Sequence, residues 1–418
     1  MQKVKDIKVG IGFATGRKSF QKVLRTYIHT WKESGLIENE RVSLNIFVAY
    51  DLNYHKTQIK DYTNVQPELA KQIDSISFIG GFAIKEEIEY LIRENVLDER
   101  EAYMVFGKSK RGYAAKRNAV LYNAIKNNMD YLVFLDDDEY PMAVTNTKDT
   151  AIWGGQEVLT SHLKYITQAD ITFGHHCGYI SPIPYMKFND TMSEVDFHLF
   201  IEAISNDIIK WDTLKTVMKN GGITYADTNI LISDEAIQVQ EVNHSKFISG
   251  SNLCINLTNS KRVFPFYNPP SARGEDTFLS TCLSQRKVLR VPCYTFHDGF
   301  STYNELLEGA LPIKLKFIKA DTQKITERFY KACIGWIRYK PLLLYITDRD
   351  HYEEKIKKMR SQLEETLPKV CAYFDKPEFI NVSAELEKYH RNVKKHYNDF
   401  IETKRIWEKI MQHFAKVK

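Results

Sequence analysis

The sequence predicts an α/β fold, with a mostly parallel sheet flanked by helices and then a helical C-terminal region. Three observations carry this prediction. From residue 7 to 135, short apolar runs alternate with amphipathic stretches, the pattern of strands joined by crossover helices that leaves a parallel sheet covered on both faces. The run YLVFL (131–135) is apolar throughout, as expected of a strand buried on both sides. From about residue 320 onward the chain becomes long, charged and helical, with Pro341, Pro368 and Pro377 as its breaks.

IKVGIGFA (7–14) reads as the first strand, and the polar turn TGRKS leads into an amphipathic helix, FQKVLRTYIHTWKESG, stopped at Gly35. VSLNIFVAYD (42–51) is the second strand, and SISFIGG (75–81), diluted by serines, is a weaker third before a helix at 84–97. GYAAKRNAVLYNAIKNN (112–128) forms a helix that delivers the chain into YLVFL. A polar region follows Pro141, with a helix near 155–168, a strand DITFG (170–174) and an irregular HHCGYISPIPYMKF. Next come a helix near 194–219, a buried strand in FISGSNLCINL (247–257), a helix after NPPSARGEDTFLSTCLSQR, and the strand KVLRVPCYTFHDG (287–299). This organisation divides the chain into a catalytic domain, 1–305, and a helical region, 306–418.

At 418 residues the chain suits two domains, or one large domain with an appendage. With 43% hydrophobic residues, 24 Tyr and 23 Phe, it is not a disordered chain. No run approaches the roughly 20 apolar residues of a membrane helix, and MQKVKDIKVGIGF lacks the apolar segment of a signal peptide, so a cytoplasmic location is expected. Six scattered cysteines without a C-x-x-C pair favour reduced thiols. The net charge of +5 resides in residues 321–418, where 21 lysines and arginines meet 15 acids. That interleaving argues against nucleic-acid binding. Three readings of these helices remain open: solvated charged faces, pairing into a homo-oligomer, or a peripheral seat on the inner face of an anionic membrane. The last would use Trp336, Tyr339 and Leu342 to Leu344.

Four consecutive acids, Asp136, Asp137, Asp138 and Glu139, close the YLVFL strand. In open α/β sheets ligands bind beyond the carboxyl ends of the strands, and clustered carboxylates there are tolerable when a cation neutralises them. Asp136 and Asp138 are spaced to offer one oxygen each to Mg²⁺ or Mn²⁺, ions that fill the rest of their sphere with water and phosphate. The competing reading is a solvated acidic turn. In GEDTFLS (274–280), Asp276 suits either a helix N-cap or a general base toward an acceptor hydroxyl. His297 ends the last strand, where it serves packing or adds a nitrogen ligand. His175, His176 and Cys177 suggest zinc but have no second half, and GIGFATG (10–16) is an imperfect dinucleotide fingerprint.

AKRNAVLYNAIKNNMDYLVFLDDDEYP (115–141), ISGSNLCINL (248–257), GEDTFLS (274–280) and HDG (297–299), taken in order, resemble the nucleotide-sugar glycosyltransferases of the GT-A fold, nearest to the family-2-like group. The resemblance spans about residues 7–300. It implies a Rossmann-like, mostly parallel sheet and an Asp-x-Asp motif, Asp136 and Asp138, holding Mn²⁺ or Mg²⁺ against the donor diphosphate, with His297 completing that metal site. It further implies Asp276 as catalytic base with Glu275 beside it, and donor contacts from Thr15, Arg17, Asp51, Arg117, Asn118, Asp136 and Asp137. AYDLN replaces the usual acidic-Gly-Ser after the second strand, which weakens the role of Asp51. A Q-x-x-R-W signature is absent, which favours transfer of single sugars.

The expected function is therefore metal-dependent transfer of a sugar from a nucleoside diphosphate to a glycan or lipid-linked acceptor, with inversion, in glycan or surface-polysaccharide biosynthesis. The alternatives are a nucleotidyltransferase using the same acids, an NAD-dependent oxidoreductase built on GIGFATG, and a non-catalytic scaffold.

Overall fold

A computed structural model describes residues 6–53, 55–108, 112–148, 150–205, 211–301, 303, 306 and 309–417. The first five residues of the N-terminus read above, and residue 305 at the expected domain boundary, lie outside them.

Strand β1 (Ile7–Thr15) pairs in parallel with β2 (Val42–Tyr50). The connection is α1 (Phe20–Glu33), which buries Phe20, Val23, Leu24, Tyr27, Ile28 and Trp31 along one stripe, the spacing of a helix with one apolar face. Two short helices, α2 (Lys60–Thr63) and α3 (Pro67–Ala70), lead to β3 (Ser75–Ile79) on the far side of β2. Then come α4 (Gly81–Arg93), α5 (Glu99–Phe106), opened by a capping box of Asp98 and Glu101, and α6 (Tyr113–Lys126). The chain returns in β4 (Tyr131–Leu135), parallel to β1 on its other side and buried at all five positions.

The second half runs through β5 (Glu139–Tyr140), a hairpin of β6 (Met142–Thr147) and β7 (Thr150–Gly155), α7 (Val158–Ile166) and β8 (Ile171–Gly178). It continues with α8 (Glu194–Ile204), α9 (Trp211–Lys219), α10 (Thr228–Ile232), β9 (Ile237–Gln238), β10 (Leu253–Asn256), α11 (Glu275–Ser280) and β11 (Val288–His297). Four helices close the chain: α12 (Gln323–Thr347), α13 (Tyr352–Tyr373), α14 (Asn381–Arg391) and α15 (Val393–Val417).

Among the described residues the strand order is β3-β2-β1-β4-β10-β8-β11-β5, with β9 paired to β11. The α/β class holds, but the sheet is mixed where the sequence predicts mostly parallel pairing. β10 lies antiparallel to both β4 and β8, and β11 antiparallel to β5 and β9. β10 is reached through α8, α9, α10 and β9 and then an irregular stretch, 239–252, that turns the chain before it enters the sheet. Other expectations shift as well. The hairpin occupies a stretch read as polar loop, and HHCG continues β8. The helix expected after NPPSARGEDTFLSTCLSQR, which ends at residue 286, lies instead within GEDTFLS. Pro341 and Pro368 sit inside α12 and α13, where burial of the neighbouring side chains offsets the lost backbone bond.

The C-terminal helices share cores with the rest of the chain. Ile406, Trp407, Ile410, Met411 and Phe414 of α15 belong to the cluster containing Val105, Phe106, Leu121 and Tyr122. Glu101 at the head of α5 pairs with Arg405 at 2.8 Å and with Lys409. Tyr339 and Leu342 to Leu344 are buried in a core shared with α8, α11 and α13, with Trp336 partly buried against it, so the buried four are not available to a membrane. Among the described residues no helix is long and apolar enough to cross one.

Trp407 is fully buried between α15 and the sheet-covering helices. Its replacement by alanine is expected to cost about 3–5 kcal/mol. Because the two regions share this core, circular dichroism should record one cooperative thermal transition at a lowered midpoint, and not two separate ones.

Candidate active site

The chain lays β2 and β3 to one side of β1 and β4 to the other, so the strand order reverses at β1. In an open α/β sheet the ligand crevice lies at that switch, beyond the carboxyl ends. β1 ends at Thr15 and β4 ends just before Asp136. There the Thr15 hydroxyl donates to Asp137 Oδ2. Arg17 spans Asp137 at 3.3 Å and Asp138 at 2.8 Å. Asp51 joins the same edge: its amide donates to the Thr15 carbonyl at 3.0 Å, while its carboxylate accepts from the Asn53 amide at 3.0 Å and closes the turn after β2.

Arg117, in α6, is the link to the other half. Its side chain is 4% exposed, with Nη2 at 3.1 Å from Asp136 Oδ1 and Nε at 3.3 Å from Glu275 Oε1. Nη1 donates to the Gly250 carbonyl, and the guanidinium packs over Phe134 and Phe266. One buried cation therefore joins the acids after β4 to those opening α11. Asp276 Oδ2 accepts from the Gly250 amide at 3.1 Å and Oδ1 from the Thr277 amide at 2.8 Å. A Cβ on Gly250 would come within 3.3 Å of both Arg117 Nη2 and the Asp276 Cβ, so glycine there lets the three converge. The N-cap of α11 is Gly274, at φ 92°, which removes that alternative role from Asp276.

Electrostatics divide the acids into two kinds. Burial raises Asp136 to about 7, against the pull of Arg117 and with the charges of Glu139, Asp138 and Asp137 pushing the same way. Burial and the charge of Glu275 raise Asp276 to about 6. Burial also raises Asp137, with Arg17 opposing. Asp138 is equally desolvated, but His297 at 3.3 Å and Arg17 outweigh that and hold it well below the usual carboxylate range. His297 is raised in turn: burial opposes its charge, and Asp138 overcomes it. Glu139 is lowered to about 2 despite burial by His176, 3.3 Å away, and by the Ser251 hydroxyl; the Thr295 hydroxyl also donates to it at 2.7 Å. Neighbouring carboxylates held at different protonation states suit acid-base chemistry.

Thr15, Arg17, Asp51, Arg117, Asp136, Asp137, Asp138, Glu275, Asp276 and His297 thus belong to one connected region. Asn118 departs from expectation. Its amide donates to the Val105 and Phe266 carbonyls at 3.1 and 2.9 Å and accepts from the Phe266 amide at 2.7 Å, so it clamps backbone and has no polar group left for a diphosphate. The expected metal trio does not assemble either. Among the described residues no three His, Cys, Asp or Glu side chains stand together to hold an ion; Asp136 faces Arg117, leaving the Asp138–His297 pair. His176 of the zinc-like HHC is taken by Glu139. The glycines of GIGFATG do not form a phosphate loop: Gly10 and Gly12 lie within β1. A Cβ on Gly12 would fall 2.6 Å from Val120 Cγ1 of α6, so that glycine serves helix-on-sheet packing, which weighs against the dinucleotide alternative.

Sequence reading missed the shell around Glu139, formed by His176, Ser251 and Thr295. Ser251 lies inside a quoted motif, His176 drew attention only as part of a zinc-like HHC, and Thr295 carries no local signal. No protein-family model matches this chain, and a search of curated proteins finds no match.

The pKa shifts dictate a pH dependence of stability. Asp136 and Asp276 keep protons in the folded state that the unfolded chain releases near the usual 3.8. Their contribution is full below that value and is lost as pH rises through about 6 to 7. The raised His297 acts in the same sense, whereas Asp138 and Glu139 contribute above the ordinary carboxylate range and lose it only in strong acid. The thermal midpoint should therefore be higher at about pH 5 than at about pH 8. Asp136→Asn should flatten that slope in a calorimetric pH series.

Proposed function

We propose that this chain is a GT-A-type glycosyltransferase that moves a sugar from a nucleoside diphosphate to an acceptor hydroxyl, with inversion of the anomeric centre. The observation that carries this reading is the buried link from Asp136 through Arg117 to Glu275, beside Asp276. It couples an acidic strand end at the ligand crevice to a carboxylate raised to about 6, which suits a general base operating near neutral pH.

Asp276 is held by the Gly250 and Thr277 amides, so its carboxylate is positioned before substrate arrives. In the proposed reaction it takes the acceptor hydroxyl proton as that oxygen attacks the anomeric carbon. The bond from that carbon to the diphosphate breaks at the same time, and the diphosphate leaves with the electron pair. Arg17 faces this leaving group from the end of β1, and a preorganised cationic donor of this kind stabilises charge as it develops, while Thr15 holds Asp137 in place. Arg117 keeps the base and the donor side in register and touches neither reacting atom.

Asp138 and His297, 3.3 Å apart, would supply the protein share of a Mn²⁺ or Mg²⁺ site once the imidazole gives up the proton it shares with Asp138, since such ions keep only one or two protein carboxylates and take the rest from water and phosphate. When bound, the ion would supply Lewis-acid stabilisation of the departing diphosphate.

The donor nucleotide is identified by thermal shift with UDP-, GDP-, CDP- and dTDP-sugars, with and without Mn²⁺; one series should stabilise the protein by linkage. Turnover should release a nucleoside diphosphate, whereas release of pyrophosphate would assign the nucleotidyltransferase alternative. Asp276→Asn is expected to lower kcat by roughly 10² to 10⁴ with the donor KM little changed. An Asp276→Asn enzyme as active as the parent would overturn the assignment of the base.

A further inference from the structure

Arg328 of α12 lies among charges that do not satisfy it. Its Nε is buried without a hydrogen-bond partner among the described residues. Its guanidinium stacks on Phe300, 4.3 Å from the ring centroid. Asp138 is the strongest opposite charge acting on it, but that carboxylate is already bonded to Arg17 and His297. Arg17 and Arg273 repel it and Asp298 attracts it more weakly, so that burial together with the repulsion still depresses its pKa. The fold makes room for this arrangement: a Cβ on Gly299 would collide with Arg328 Nη2 and approach His297 Cε1 to 2.8 Å. A desolvated guanidinium lacking a full partner is costly, and two more guanidiniums nearby raise that cost. A ligand carrying two negative charges relieves both penalties, because planar guanidiniums grip phosphate oxygens through paired N–H donors.

We infer that Arg328, reaching over from the C-terminal helices, joins Arg17 to form an anion cradle for a diphosphate beside Asp138 and His297. The glycosyltransferase reading identifies that diphosphate as the donor's, and the assignment rests on that reading for the nucleotide alone. α12 is then part of the donor site. Arg328 then contacts the leaving group, and the mixed-charge C-terminal region has a chemical task beyond packing.

The test is calorimetric binding of inorganic pyrophosphate to the full chain, with and without Mn²⁺, for the parent, Arg328→Met and Arg328→Lys. Methionine keeps the stem that packs on Phe300, and lysine keeps the charge without the fork; circular dichroism verifies folding of each. Arg328→Met should weaken pyrophosphate binding on the order of tenfold or more, and Arg328→Lys should restore part of the loss. A parent that fails to bind pyrophosphate overturns the cradle, as does an Arg328→Met protein that binds it equally well. Pyrophosphate binding that depends on Arg328, in a protein that neither binds nor turns over any nucleotide sugar, would sustain the cradle and refute the glycosyltransferase reading instead.

Discussion

One buried guanidinium holds the two halves of the candidate site together. Arg117 reaches Asp136 at the end of β4, Glu275 at the head of α11 and the carbonyl of Gly250, from a side chain that is 4% exposed. An unpaired charge in such a place would cost several kcal/mol. The acids therefore have to be where they are for α6 to dock, and Arg117 has to be there for the acids to be tolerated. Phe134 and Phe266 on its flanks fix the plane of the fork and so the spacing between the two acidic segments.

That coupling explains why acids close together in sequence behave so differently. Asp136 shares its cation with Glu275 and is pushed up, whereas Asp138 has both Arg17 and His297 and is pushed down. Glu139 has turned inward, to His176 and two hydroxyls. A run of four acids is thus divided among partners from different parts of the fold, Arg117 for Asp136, Arg17 shared by Asp137 and Asp138, His297 for Asp138 and His176 for Glu139, while their remaining repulsion still raises Asp136.

The parallel half of the sheet was legible in the sequence because local patterning dictates it. Apolar runs and amphipathic stretches alternate, and YLVFL ends abruptly in acid. The acidic strand end, Asp276 and His297 stood out for the same reason, as polar groups where burial should be rising. What escaped depends on distant pairing. The reversal of β10 needs knowledge of its neighbours, and the hairpin at 142–155 hides in polar residues. Asn118 is indistinguishable in sequence from a ligand-binding amide until the Phe266 backbone is seen to consume it. Arg328 lies in a charged helix where nothing marks one arginine from the next. Apolar residues of α12 that suggested a membrane face are core, because amphipathic spacing does not say which surface a helix meets.

The reversed strand has a consequence for the chemistry of the rim. Parallel strands present their carbonyl-terminated ends to the crevice, so a rim built from them alone is rich in acceptors. β10 runs the other way between β4 and β8, and the chain just ahead of it, Gly250 and Ser251, arrives at that rim with amide hydrogens as well as a carbonyl. One of those hydrogens holds Asp276, while the adjoining oxygen holds Arg117. A single peptide-length segment thus grips an anion and a cation at once, and inverting one strand gives the rim a donor-acceptor polarity that no side chain has to provide.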